Sequence, residues 1–175
     1  MELSITHRDK IYLTGFMGTG KTIVGKLLSQ KLNYRFIDTD DLIEKETGMT
    51  IEEIFNIHSE EYFREQEKKV LHSTFNLKKA VISTGGGLVT YKDNIELIKN
   101  NGIAVTLTAS PDIIFSRISK DANIRPLLQG DKREEKLNLL IQKRVYYYIS
   151  AHFVIDTSIL NAQQIVDKIC QEAGL

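Results

Sequence analysis

Short apolar runs alternate with longer amphipathic stretches along this 175-residue chain. Residues 11–14 form an apolar run that ends in a glycine-rich turn, and 21–32 then carries Val24, Leu27, Leu28 and Leu32 at helical spacing. A second strand is expected over 34–37 and a short helix over 41–46, stopped at Gly48. Thr50 and Glu53 form a capping box before the next helix. Ser59 opens a longer one in which Phe63, Glu67, Val70 and Leu71 share a face. Residues 80–83 read as a third strand running into Gly85, Gly86 and Gly87. Residues 94–100 are helical and end at Gly102, and 104–107 form a fourth strand. Ser110 and Pro111 then make a helix start, while 119–130 is polar and irregular. Asp131 with Glu134 is expected to cap a helix carrying Leu137, Leu140, Ile141 and Val145. A fifth strand over 153–155 and a last helix opened by Asn161 and Gln164 complete the chain. Five short apolar strands separated by helices predict an α/β domain, a five-stranded parallel sheet with helices on both faces.

Length and composition narrow this only slightly. The chain fits one domain, 1–175, with 42% hydrophobic and 26% charged residues, as in ordinary globular proteins. Twenty-three basic residues balance 23 acidic ones, which gives no support to a nucleic-acid partner. No apolar run approaches the roughly 20 residues of a membrane span, and the polar start lacks the apolar stretch of a signal peptide. The expected location is therefore the cytoplasm. Cys170, the single cysteine, cannot form an internal disulfide, and is read as a small packing residue in the last helix. His7, His58, His72 and His152 show no metal-ligand spacing.

The chemistry begins with Gly15-Phe16-Met17-Gly18-Thr19-Gly20-Lys21-Thr22, which fits the P-loop pattern between an apolar strand and an amphipathic helix. Its glycines let backbone N–H groups converge on phosphate oxygens, and the helix from Lys21 presents its positive end to the same anion. Gly18, Thr19, Gly20, Lys21 and Thr22 are thus candidate nucleotide contacts, with Lys21 on the β and γ phosphates and Thr22 on Mg²⁺. No Asn-Lys-x-Asp guanine-reading motif occurs, which argues against a GTPase switch.

Asp38-Thr39-Asp40 follows the second strand, where ligands of parallel sheets collect. The carboxylates either cap the following helix or serve the site, one holding water on Mg²⁺ and the other orienting a substrate hydroxyl. Gly85-Gly86-Gly87 strips side chains from the end of the third strand, so that a ligand can approach the backbone. Arg64, Arg125 and Arg144 are candidate anion clamps, although a single arginine is more often a solvated surface charge.

Together these segments resemble the shikimate kinases over nearly the whole chain. The P-loop wording, the Asp38-Thr39-Asp40 spacing, Phe63-Arg64-Glu65-Gln66-Glu67, Thr84-Gly85-Gly86-Gly87 and Arg125-Pro126-Leu127-Leu128 occur in the family's order, with Arg144 on a later helix. The resemblance implies a P-loop small-molecule kinase of nucleoside monophosphate kinase-like fold. It adds substrate-binding helices at about 39–68 and a lid at about 119–130. The implied reaction is transfer of the ATP γ-phosphoryl group to the 3-hydroxyl of shikimate, in aromatic amino-acid biosynthesis, by a monomer. It implies that Asp40 holds the ring hydroxyls and is the candidate base, and that Asp38 acts on Mg²⁺ through water. Arg64 and Arg144 would grip the carboxylate, with Gly86 and Gly87 at the ring and Phe55 and Phe63 as its walls. Arg125 would meet the transferring phosphate, and Arg117 is a looser candidate beside adenine. Two departures stand out. Tyr146 replaces the family's frequent proline two residues after Arg144, which bears on helix geometry and on Tyr148, and the segment before Phe153 is one residue short. The competing readings are a kinase for another hydroxy-acid such as gluconate, and a nucleotide-binding module without turnover.

Overall fold

The computed structural model describes residues 9–91, 93–120 and 132–175. Five strands, β1 (Lys10–Thr14), β2 (Arg35–Asp38), β3 (Ala80–Ser83), β4 (Ile103–Thr108) and β5 (Phe153–Asp156), form one sheet of order β2-β3-β1-β4-β5. Every pairing is parallel. The helices are α1 (Lys21–Leu32), α2 (Thr39–Thr47), α3 (Ile51–Ile57), α4 (Glu60–Thr74), α5 (Asn94–Asn101), α6 (Pro111–Ser119), α7 (Arg133–Ile149) and α8 (Ala162–Ala173), with a 3₁₀ turn at Leu88–Thr90. Among the described residues no helix is long and apolar enough to cross a membrane.

Strand alternation sorts the core into two layers. Ile11, Leu13, Val105, Leu107 and Ile155 pack with Val24 and Leu28 of α1 and with Ile165, Val166 and Ile169 of α8; Cys170 is buried there too. Tyr12, Ile82 and Ala104 face the other way, towards Leu71 of α4, Ile98 of α5, Ile114 of α6 and Leu137 and Tyr148 of α7. A satellite cluster of Ile43, Ile54, Phe63 and Val70 ties α2, α3 and α4 into a separate small layer. Parallel strands put all their carboxyl ends on one side, so Thr14, Asp38, Ser83 and Thr108 open onto a common edge.

Three local expectations change. α2 begins at Thr39 rather than Asp41, because Asp38 is its N-cap and accepts from the Asp40 N–H at 3.1 Å. Val145 is half exposed; the buried face of α7 is Leu137, Arg144 and Tyr148. α7 itself starts after Lys132, which has φ 61° and no side-chain cap, and the expected cap Asp131 lies outside the described residues. The capping boxes at Thr50/Glu53 and Asn161/Gln164 both form.

Candidate active site

Gly15 leaves β1 at φ 131°, and a Cβ there would lie 2.1 Å from the Leu107 carbonyl oxygen, so only glycine fits. Thr19 Oγ1 closes the loop on Phe16 O at 2.8 Å. α1 then starts after Gly20, which carries no side-chain cap, so its first N–H groups face the loop without one. Lys21 is buried, and its Nζ donates to Gly15 O and Phe16 O, each at 3.0 Å. Thr22 Oγ1 donates to Asp38 Oδ2 at 3.1 Å, which brings two hard oxygen donors together at the helix start. Arg117 of α6 reaches over this loop. It donates to Gly18 O at 3.2 Å and to Thr157 Oγ1 and O at 3.0 and 2.9 Å, anchoring the P-loop to the segment after β5. A cavity of about 610 Å³ opens here, lined by Gly18 through Thr22, Asp38, Asp40, Gly86, Arg117, Lys120 and Thr157. An open helix N-terminus beside lysine and glycine N–H groups suits a polyphosphate.

The second half of the site stands on α4 and α7. Ser59 caps α4 through its side chain, accepting from Tyr62 N at 3.3 Å, and Arg64 follows on the face turned inward. Arg64 is 8% exposed. Its Nη1 donates to Glu67 Oε2 at 2.6 Å, and its Nη2 to Glu60 Oε1 at 2.7 Å. Phe63 and Tyr91 lie against the guanidinium, with ring centroids 5.3 and 5.2 Å from Cζ. Burial pulls the Arg64 pKa down, but Glu67 and Glu60 outweigh it and leave it raised. Burial likewise pushes the Glu67 carboxyl up, against the pull of Arg64 and Arg144. Glu67 Oε1 has no hydrogen-bond partner among the described residues. Arg144 and Tyr148 stand one turn apart on α7, and both address Gly86 O, at 3.4 and 2.5 Å. Desolvation pushes the Tyr148 phenol up to about 12, so it remains a donor at neutral pH.

The three glycines join the halves. A Cβ on Gly85 would meet Asp40 Oδ1 at 2.7 Å and Glu67 Oε1 at 2.8 Å. On Gly86 it would meet Met17 N at 3.2 Å, and on Gly87 it would meet Arg64 Nη1 at 2.5 Å. The absent side chains therefore make room first for the protein's own groups. Gly85 N also donates to Thr39 Oγ1 at 2.9 Å, which fixes the start of α2 beside β3.

Lys21, Thr22, Asp38, Asp40, Gly86 and Arg117 share one cavity, and Arg64, Gly87 and Arg144 surround the same glycine turn. Phe63 is buried in the α2–α4 layer and Phe55 packs against it, ring centroids 5.0 Å apart. Arg125 and the stretch 121–130 of the expected lid lie outside the described residues. Sequence reasoning gave no site role to Glu60, Glu67, Tyr148 or Thr157. Glu60 and Glu67 were readable as i,i+4 and i,i+3 partners of Arg64. Tyr148 was readable as one turn beyond Arg144, but Thr157 carries no local signal.

A parallel sheet of this order, with a phosphate-binding loop after its central strand and a layer of short helices beside it, is the architecture of a P-loop kinase. The gluconokinase of Sinorhizobium meliloti shares that fold at TM-score 0.60 and 13% identity, covering 96% of this chain and 94% of its own. Closer likenesses are more specific. The family model described as shikimate kinase matches residues 17–173. A protein of Thermodesulfovibrio yellowstonii named shikimate kinase is 44% identical over 162 residues, 93% of each chain. The structure of a shikimate kinase from Acinetobacter baumannii in complex with shikimate superposes at TM-score 0.88 and 40% identity, covering 94% of this chain and 92% of that one. This chain belongs to the shikimate kinase family.

Proposed function

We propose that the chain transfers the γ-phosphoryl group of ATP to the 3-hydroxyl of shikimate, giving shikimate 3-phosphate and ADP. The observation that carries this is the meeting of two unlike half-sites at Gly85–Gly87. One is a phosphate cradle, and the other holds two buried arginines within reach of the same turn. The likeness to a shikimate-bound relative at 40% identity supports the choice of acid, whereas the gluconokinase likeness is one of fold alone. On this reading the chain serves aromatic amino-acid biosynthesis in the cytoplasm.

Each residue then has a role. Gly18, Thr19, Gly20 and the first N–H groups of α1 bind the phosphates, and Lys21 turns its ammonium from the loop carbonyls to the β and γ oxygens. Arg117 holds the loop and flanks the base, and Arg125 meets the transferring group. Arg64 and Arg144 bind the carboxylate, with Gly86 and Gly87 beneath the ring and Phe55 and Phe63 walling it. Asp40 accepts a hydrogen bond from the hydroxyl and turns its oxygen towards phosphorus. The new O–P bond forms as the bond from the γ-phosphorus to the bridging oxygen breaks, and the hydroxyl proton leaves on the Asp40 side. Thr22 Oγ1 and Asp38 Oδ2, 3.1 Å apart at the cavity wall, fit Mg²⁺, Asp38 through water. Bound there, Mg²⁺ would neutralise charge on the phosphates.

Release of ADP, coupled to a spectrophotometric readout, tests the proposal with shikimate present, absent or replaced by gluconate. Shikimate-dependent turnover that vanishes in a folded Lys21→Met protein is the expected result. Turnover with gluconate but not shikimate would overturn the assignment, as would normal activity in Lys21→Met.

A further inference from the structure

Arg64 is surrounded by carboxylates before any acid arrives, and its three edges are not equally open. Nη1 is held by Glu67 Oε2 at 2.6 Å, and that carboxylate is 3% exposed. Gly87 abuts the Nη1 and Nη2 end, where a Cβ would lie 2.5 and 3.0 Å away. The remaining edge, Nε and Nη2, is taken by Glu60 Oε1 at 3.3 and 2.7 Å. Phe63 and Tyr91 lie against the guanidinium. Of these neighbours Glu60 is the exposed carboxylate, at 47%. The edge that Glu60 holds is therefore the one at which an incoming carboxylate would meet a displaceable partner.

We propose that Glu60 is an internal stand-in for the substrate's carboxylate, displaced when the acid binds, and so sets the affinity for it. The inference rests on the reading of Arg64 as the carboxylate-binding residue. The exchange is chemically favourable. Glu60 meets both N–H groups with a single oxygen, whereas a free carboxylate can offer one oxygen to each in parallel. The displaced Glu60 is not stranded, because it is the first residue of α4 and sits at the positive end of that helix. A neutral analogue gains too little from Arg64 to displace a charged side chain, so it would bind with Glu60 left in place and escape this competition.

Calorimetric titration of shikimate into the full-length wild type, Glu60→Gln, Glu60→Ala and Arg64→Ala tests this, with thermal melts confirming the fold. Removing an exposed, partly screened competitor should tighten shikimate binding about two- to five-fold in Glu60→Ala. Glu60→Gln should fall between it and the wild type. A shikimate analogue with the carboxylate reduced to an alcohol should change its affinity by less than two-fold in either variant, so that its deficit against shikimate widens. Weaker or unchanged shikimate binding in both Glu60 variants would overturn the inference, weaker binding marking Glu60 as a support for Arg64 instead. An Arg64→Ala protein that binds shikimate as well as the wild type would overturn the reading beneath it, and the inference with it.

Discussion

Gly87→Ala isolates the contact that seats Arg64, to which we assign the substrate's carboxylate. Gly87 has φ −101° and ψ −13°, which alanine adopts without strain, so the substitution adds one methyl group and little else. That methyl would lie 2.5 Å from Arg64 Nη1, 3.0 Å from Nη2 and 3.1 Å from Cζ, against an ordinary contact of 3.4 Å or more. The guanidinium has to retreat by roughly 1 Å to restore van der Waals distance. It is not free to do so, because Glu67 holds Nη1 at 2.6 Å in a buried pair and Glu60 holds Nη2 at 2.7 Å. Overpacking of this size typically costs about 1–3 kcal/mol. Expressed in substrate binding, that is about a five- to a hundred-fold rise in the KM for shikimate. The KM for ATP should change less than two-fold, since the nearest P-loop contact of this turn belongs to Gly86. Initial rates of ADP release, with each substrate varied at saturation of the other, read both numbers. Gly48→Ala is the control: it forces alanine to φ 69° with nothing within 4 Å, so it should lower the melting temperature and leave both KM values alone. A shikimate KM within two-fold of wild type in Gly87→Ala, with an unchanged melting temperature, would refute the view that Gly87 seats Arg64.

Tyr148→Phe keeps the ring but removes the 2.5 Å hydrogen bond to Gly86 O, so stability should fall by about 1 kcal/mol and the shikimate KM should rise several-fold, with ATP binding kept. His152 Nδ1 accepts from Ala104 N at 3.0 Å, and burial followed by Lys99 lowers its pKa below the ordinary 6.5. Its contribution is therefore whole above pH 6.5 and lost as pH falls through the folded-state value, because the unfolded chain binds the proton first. Urea midpoints should drop between pH 7.5 and 5.5 more in the wild type than in His152→Asn, and equal drops would exclude His152 as the cause.

Much of the nucleotide half was legible because it is local. The strand, the loop and α1 are consecutive, and the bounds of α1 and β3 match the pattern of apolar positions. At Asp38 the cap does not use up the carboxylate. One oxygen caps α2 through Asp40 N while the other accepts from Thr22, and a carboxylate has lone pairs for both. The acid half was harder to read. Apolar spacing put Val145 on the inner face of α7, yet beside Leu137 the side chains buried there are Arg144 and Tyr148, whose polar ends both donate to Gly86 O. Hydrophobic periodicity locates a buried face only when apolar residues occupy it. Where buried polar groups do so, the partner decides, and the partner here is 58 or 62 residues away in sequence.

The run of three glycines shows how one short segment can serve four elements at once. Gly85 admits Asp40 of α2 and Glu67 of α4; Gly86 admits the Met17 N–H of the P-loop and accepts from two side chains of α7; Gly87 admits Arg64 of α4. A tight turn requires one glycine at most, and none of these three takes the positive φ that turn glycines usually supply. Their common property is instead the missing Cβ, in a place where the sheet edge, two helices and a loop approach within contact distance. That explains why Asp40 and Arg64, to which we assign the substrate's hydroxyl and carboxylate, keep a fixed relation to the P-loop although they lie on different elements. It also explains why effects at the three positions should not add. Each glycine touches a group that another position also constrains, through Glu67 for Gly85 and Gly87 and through the backbone for Gly86. The turn is thus the part of the fold where the packing of α2, α4, α7 and the P-loop is set together.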